Sequence, residues 1–266
     1  MRRSVIVCLV LVACLSRMAY VRASASDLVP YDNFKQKFLD PTKWSTFGAC
    51  FTFSFLECVR EIQDGKLRLA VRNYGSTNSN DGSQYAPSEL HFINPAPIKT
   101  IATQLLIRRT TALGCPANTG EGSHAHALIS GNFFNSGSGN PDDDVQAFLI
   151  FDRFSSDPEG VTSAEAFMHW QGQFFGGIGL GTVNVGQKVA ISLTWDQSDH
   201  QFVVIWTDLE SGRVNQGVMP YNISDTTPAA AADKFLGVRT FAPNCLGTQH
   251  VFVDMEANFD NVMIGN

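Results

Sequence analysis

Four side chains near the middle of the sequence are of the types that move protons: His126, Asp152, Glu165 and His169. Two carboxyl groups in one cleft are what glycoside hydrolysis requires, one protonating the leaving oxygen while the other acts as nucleophile or base. An imidazole serves in either direction near neutral pH. In the segment Glu165-Ala-Phe-Met-His169 the acid and the imidazole lie four residues apart, which puts them on one face of a strand. Trp170 joins the list as a ring on which a sugar can stack, although alternation puts it on the other face, where an indole serves equally as core.

The spacing His124-Ala-His126 also sets two imidazoles on one strand face, and the polar row continues through Ser130 and Asn132. His124, His126 and Asn132 are therefore candidates for hydrogen bonds to sugar hydroxyls. With an acid from another strand, the two histidines would also match a transition-metal shell, but an outward-facing polar pair needs no metal. The run Asp142-Asp-Asp144 brings three carboxylates together, either as a solvated turn or as oxygen ligands for calcium. Its spacing is not that of an EF-hand.

Other chemistries find no support. The sequence has no G-x-S-x-G elbow, no P-loop and no C-x-x-C pair. The glycine-rich stretch Gly176-Gly-Ile-Gly-Leu-Gly181 reads as a flexible connection rather than a dinucleotide fingerprint. Asn222-Ile-Ser224 is a glycosylation acceptor in a eukaryotic secretory context and first of all a surface prediction.

The elements that must position these residues are strands. Short β-branched and aromatic runs alternate with Gly, Asn, Ser, Asp and Pro clusters, and no long segment has helical period. Strands are predicted over Lys66 to Arg72, over Ile98 to Arg108 after Pro95-Ala-Pro97, and over His124 to Phe133. In the last of these Ala125, Ala127, Ile129, Gly131 and Phe133 form the apolar row. The near-continuous apolar run Val145 to Asp152 predicts a central strand buried on both sides, with Ala164 to Trp170 as its neighbour. Lys188 to Trp195 and His200 to Trp206 form a hairpin around Asp196-Gln-Ser-Asp199, and Val251 to Ile264 closes the fold. Trp44, Trp195 and Trp206 read as core anchors.

The N-terminus sets the compartment. Arg2 and Arg3 precede an apolar run from Ser4 to Leu15, too short to span a bilayer, and Ala23-Ser24-Ala25 fits a signal-peptidase site. Residues 1–25 are expected to be a signal peptide and residues 26–266 a single domain, secreted to the extracellular side. Leu11-Val-Ala-Cys14 offers a second reading, a lipobox in which Cys14 would carry a lipid anchor at the cell surface. Either way no transmembrane segment is expected. Removing Arg2, Arg3, Arg17 and Arg22 with the leader leaves 15 basic against 25 acidic residues, a balance unsuited to nucleic acid. Cys50, Cys58, Cys115 and Cys245 remain for disulfides in an oxidising compartment. Cys50 with Cys58 and Cys115 with Cys245 is one of three pairings, and the sequence leaves the choice open.

The opening Tyr31-Asp-Asn-Phe34 with Phe38-Leu-Asp-Pro-Thr-Lys-Trp44, the hairpin around Thr194-Trp-Asp196 and the closing Ala257-Asn-Phe-Asp-Asn-Val262 resemble concanavalin A-like lectins and glucanases across nearly the whole mature chain. The resemblance implies an all-β, two-sheet antiparallel jelly-roll sandwich, with an early strand beside the last one and one concave, glycan-facing sheet. It also implies a structural calcium ion between the first and last strands, with Asp32 and Asp260 as its ligands. Glucanases of this superfamily carry E-x-D-x-E on one strand. The nearest string here, Phe252-Val-Asp-Met-Glu256, replaces the first acid with Phe252, so catalysis is not carried over and Asp254 and Glu256 read as a solvated strand face. The leading expectation is an exported lectin-like module for an extracellular or cell-wall polysaccharide. The alternatives are a glycoside hydrolase or polysaccharide lyase in the same groove, or a structural or adhesion protein with no glycan site.

Overall fold

A computed structural model describes residues 28–45, 56–75, 84–115, 122–243, 245 and 250–266. The expected leader, with the alternative lipid-anchor site Cys14, and Cys50 lie outside these residues. The described chain forms sixteen strands. They are β1 (Val29–Asp32), β2 (Trp44–Ser45), β3 (Leu56–Gln63), β4 (Lys66–Tyr74), β5 (Gln84–Phe92), β6 (Thr100–Ala112), β7 (His124–Asn135) and β8 (Asp144–Phe154) in the first half. The second half adds β9 (Val161–Trp170), β10 (Gln173–Asn184), β11 (Lys188–Asp196), β12 (Gln201–Asp208), β13 (Val214–Pro220), β14 (Thr227–Pro228), β15 (Lys234–Ala242) and β16 (Phe252–Gly265). A 3-10 turn at Pro141–Asp143 is the one helical element among the described residues. None of the helices there is long and apolar enough to cross a membrane.

Two antiparallel sheets result, as expected for a jelly-roll sandwich. The first runs β13-β12-β11-β6-β16-β4-β3, with β1 paired to β16; the second runs β10-β9-β8-β7-β15-β5-β2, with β14 paired to β7. The early strand therefore does lie against the last one, with Val29 opposite Ile264. The predicted hairpin pairs Trp195 with Phe202 and Ile191 with Trp206. The glycine-rich stretch 176–181, expected as a flexible connection, is instead part of strand β10, at the edge of the second sheet. An edge strand needs partners on one side only, and glycines let it bend through the register shifts after Phe175 and Gly179.

Period-two alternation decides what each strand buries. Leu67, Leu69, Leu105, Ile107 and Phe259 of the first sheet meet Ala127, Ile129, Leu149, Phe151 and Met168 of the second in one core. Each fully buried side chain of this size contributes roughly 1.5–3 kcal/mol. Trp44 and Trp206 are buried, and each indole N–H is satisfied, by the Asp32 carboxylate at 2.7 Å and the Leu180 carbonyl at 2.9 Å. A register shift between Asn132 and Phe134 breaks the alternation in β7 and lets both Phe133 and Phe134 face inward. Cys115 is bonded to Cys245 across a sequence separation of 130, and Cys58 is also in a disulfide.

Asp254 and Glu256 are not the solvated face that alternation predicts. They pair with Arg109, Glu256 also binds Arg68 at 3.0 Å, and Asp254 is buried. Arginines on the neighbouring strands β6 and β4 face these acids across the first sheet, a pairing that only the strand order reveals.

Candidate functional site

The second sheet has an outer face as well as a core face, and that outer face carries a second, smaller apolar cluster of Leu128, Phe148, Ile150 and Phe235 with Phe167 against it. Because β8 and β7 are interior strands, both of their faces are covered, which accounts for the near-continuous apolar run from Val145. Above this floor lies a groove of about 740 Å³. Strand register brings its polar groups together. His126 stands opposite Asp152 on one side and Arg239 on the other, and one row along the sheet Ile150 stands opposite Glu165. Tyr85, His124, Phe154 and Phe241 close one end, and Phe174 and Phe175 of the β10 edge close the side.

Asp152 is 4 % exposed. Burial, reinforced by the nearby Glu165 carboxylate, pushes its carboxyl up to about 7, so it holds a proton through the mildly acidic range. His126 moves the other way: burial, with the charges of Arg239 and His124, holds it well below the usual imidazole range and keeps it neutral. The His126 Nδ1 to Asp152 Oδ1 separation is 3.9 Å, too long for a hydrogen bond, and neither atom has another partner. One polar atom of each of these two groups thus sits unsatisfied at the base of a largely aromatic groove. Unsatisfied buried groups cost on the order of 1–3 kcal/mol each, and a bound ligand or water that bonds to them removes that cost.

Beyond His126 the polar row continues as an ion network that is already complete. Arg239 donates to Glu89 at 2.5 Å, Glu89 meets His91 Nε2 at 3.2 Å, and His91 Nδ1 meets Asp233 at 2.7 Å. Burial opposes charge on His91, but its bonds to Asp233 and Glu89 prevail and push it up to about 9. Glu89 is held below the usual carboxylate range because His91 and Arg239 outweigh its burial.

Of the candidates read from the sequence, His124, His126, Asp152 and Glu165 line the groove. His169 shares their sheet face but contacts Phe174, ring centroids 4.9 Å apart, and is not part of the lining. Asn132 donates to the Ala231 carbonyl at 2.8 Å outside the groove. Trp170 packs against the main core rather than the groove, whose lining rings include Phe148, Phe167 and Phe174. The rings of His124 and His126 stack at 5.8 Å, and no group of three metal-ligating side chains occurs among the described residues. Asp144 is a loop clamp: it accepts from Ala230 N, Ala231 N and Asn135 Nδ2, while Asp143 accepts from Gln171. The oxygens of Asp32 accept from Phe34 N and Trp44 Nε1, and Asp260 accepts from Asn261 N. That bonding fits structural carboxylates. Asn222 is exposed.

Sequence reading missed Arg239, Glu89, His91 and the phenylalanines of the groove. The available signal was weak: Glu89 and His91 share strand parity, as do Phe235 and Arg239, but nothing in sequence says that β15 lies between β7 and β5.

No family model and no curated protein matches this sequence. Among solved structures, lectin II from Ulex europaeus is similar at 12 % identity and a TM-score of 0.38, over 88 % of this chain and 99 % of that one. Peanut lectin with a nine-residue peptide is similar at 12 % identity and a TM-score of 0.38, over 90 % and 100 %. Scytalido-glutamic peptidase with a peptide-based transition-state analog is similar at 16 % and 0.38, over 64 % and 72 %. The architecture described above rests on the strand pairing itself.

Proposed function

We propose that this is an exported carbohydrate-binding protein that holds a polysaccharide segment in the groove on the outer face of its second sheet. The observation that carries the reading is convergence: His126, Asp152 and Glu165 come from three strands and meet among aromatic rings in one groove of about 740 Å³. Sugars present an apolar C–H face and a polar rim, which suits a floor of Phe148, Phe167 and Phe174 beside buried donors and acceptors that lack protein partners. A structural or adhesion role without a binding site is less well supported, since it calls for a filled or flat face. The disulfide between Cys115 and Cys245 supports an oxidising compartment.

A second reading, hydrolysis in the same groove, is favoured by one observation. Asp152, protonated up to about pH 7, lies near a second carboxyl group, Glu165, so the groove sets a proton donor beside a second acid as general acid catalysis requires. In that reaction Asp152 gives its proton to the glycosidic oxygen while Glu165 assists as base or nucleophile.

Both readings are tested with the purified domain and a panel of plant, algal, fungal and bacterial polysaccharides, assayed for retention and for release of reducing ends. Retention that falls at least tenfold in Phe174→Ala, an exposed residue whose loss leaves folding intact, supports the groove. Product that disappears in Asp152→Asn and in Glu165→Gln supports hydrolysis. Absence of both retention and product across the panel refutes the carbohydrate assignment.

A further inference from the structure

A second pocket, of about 230 Å³, shares no lining residue with the groove. It lies where the β5–β6 connection, the β11–β12 turn and the segments flanking β14 come together, and its walls include Ala96, Phe133, Trp195, Asp225, Pro228 and Lys234. Lys234 is 1 % exposed, an extreme position for an ammonium group. Its ζ-nitrogen donates to the Pro95 and Asn132 carbonyls, each at 3.0 Å, and lies 4.7 Å from the centre of the Phe133 ring. These partners satisfy two of its three N–H groups without neutralising the charge, and Lys234 makes no ion pair among the described residues.

The lysine is accommodated by the backbone opposite it. Gly131 of β7 stands directly across from Lys234, and a β-carbon there would overlap the lysine stem. A glycine in the middle of an interior strand weakens that strand, and here it makes the space in which a buried cation lies. The remaining wall is fixed: Trp195 Nε1 donates to the Tyr221 hydroxyl at 2.7 Å, which donates to Asp225 at 2.6 Å, and His200 meets the same carboxylate at 3.0 Å. The Asp225 charge thus has its own partners and does not reach Lys234.

We propose that this pocket binds a small organic carboxylate, with Lys234 as its counter-ion and Phe133, Trp195 and Pro228 around its apolar body. An anion there gives the buried ammonium the ion pair it lacks and takes its third N–H. The carboxylate end must point to Lys234 and away from Asp225, which sets the ligand's direction. Burial holds the Lys234 amine down at about 8, against the attraction of Asp233 and Asp144, so it is mostly charged at neutral pH and loses its charge just above.

The test uses the whole mature domain and benzoate as probe, with benzyl alcohol as the uncharged control, followed through the Trp195 indole N–H resonance. Expected is a saturable shift with benzoate at roughly millimolar concentration and none with benzyl alcohol. Binding should weaken about tenfold between about pH 7 and pH 9 as Lys234 loses its proton, and vanish in Lys234→Met. Asp225, Asp233, Asp144, His200, Tyr221 and Lys99 are the other ionisable groups around the pocket, and His200→Gln and Lys99→Met serve as controls that leave Lys234 in place. If Lys234→Met does not fold, the pH series on the wild type decides. No saturable shift at roughly 10 mM, an equal shift with benzyl alcohol, or an affinity indifferent to pH over this range overturns the proposal.

Discussion

Replacing Asp152 with Asn keeps the shape of a buried side chain and removes its titration, and the consequence can be worked out with its sign. An ordinary aspartate titrates at 3.8, whereas Asp152 in the folded protein titrates at about 7. Below 3.8 both the folded and the unfolded chain hold the proton, and above about 7 neither does. Between these limits only the folded state holds it, so folding takes up a proton and the wild type loses roughly 1.4 kcal/mol of stability per pH unit as pH rises. Across the whole window the loss comes to about 4 kcal/mol relative to the Asn variant. The assay is urea unfolding of both proteins under non-reducing conditions at about five pH values from roughly 4.5 to 8.5, comparing their free energies at each. The expected difference grows steadily in favour of Asp152→Asn up to about pH 7 and is flat beyond. A difference that stays constant over this range would mean that water reaches the carboxylate and that it ionises normally. The acid–base reading of the groove would then fall with it.

The opposite sign is expected at His91, whose folded value of about 9 lies above the ordinary 6.5: its stabilising contribution is full below about 6.5 and fades as pH rises through about 9, which the same unfolding series on His91→Gln will show. Joint replacement of Cys115 and Cys245 by Ser opens a loop of 130 residues and should cost about 4–5 kcal/mol, read as a fall in thermal midpoint; an unchanged midpoint would deny the bond a stabilising role. A β-carbon on Gly75 would overlap the Pro243 carbonyl and the Val251 side chain, so Gly75→Ala should destabilise by about 1–3 kcal/mol in denaturant unfolding. Leu128→Ala removes the floor of the outer cluster rather than the main core, and it should both lower stability by about 2–4 kcal/mol and abolish polysaccharide retention.

The sequence by itself determined eight of the strands, β4, β6, β7, β8, β9, β11, β12 and β16, and which of their residues share a face. Period-two alternation in His124 to Phe133 separates His126 from the core with no knowledge of neighbours, and the same rule sets Glu165 against Trp170. It also identified the strand carrying Asp152 as an interior one, because only a strand covered on both faces is apolar along nearly its whole length. Local pattern fails where glycine is concerned: the stretch 176–181 looks like a connection, yet an edge strand tolerates it.

What only the tertiary structure decided is which strands are neighbours. Asp152 titrates abnormally because β8 lies between β7 and β9, which buries it and sets Glu165 diagonally across from it. Arg239 and Glu89 meet because β15 pairs with β5, and Lys234 is buried because β7 offers Gly131 opposite it. Burial, pairing of charges and cavities are properties of residues far apart in the chain, and a side-chain pattern that repeats every two residues carries no record of the distant strand it will meet.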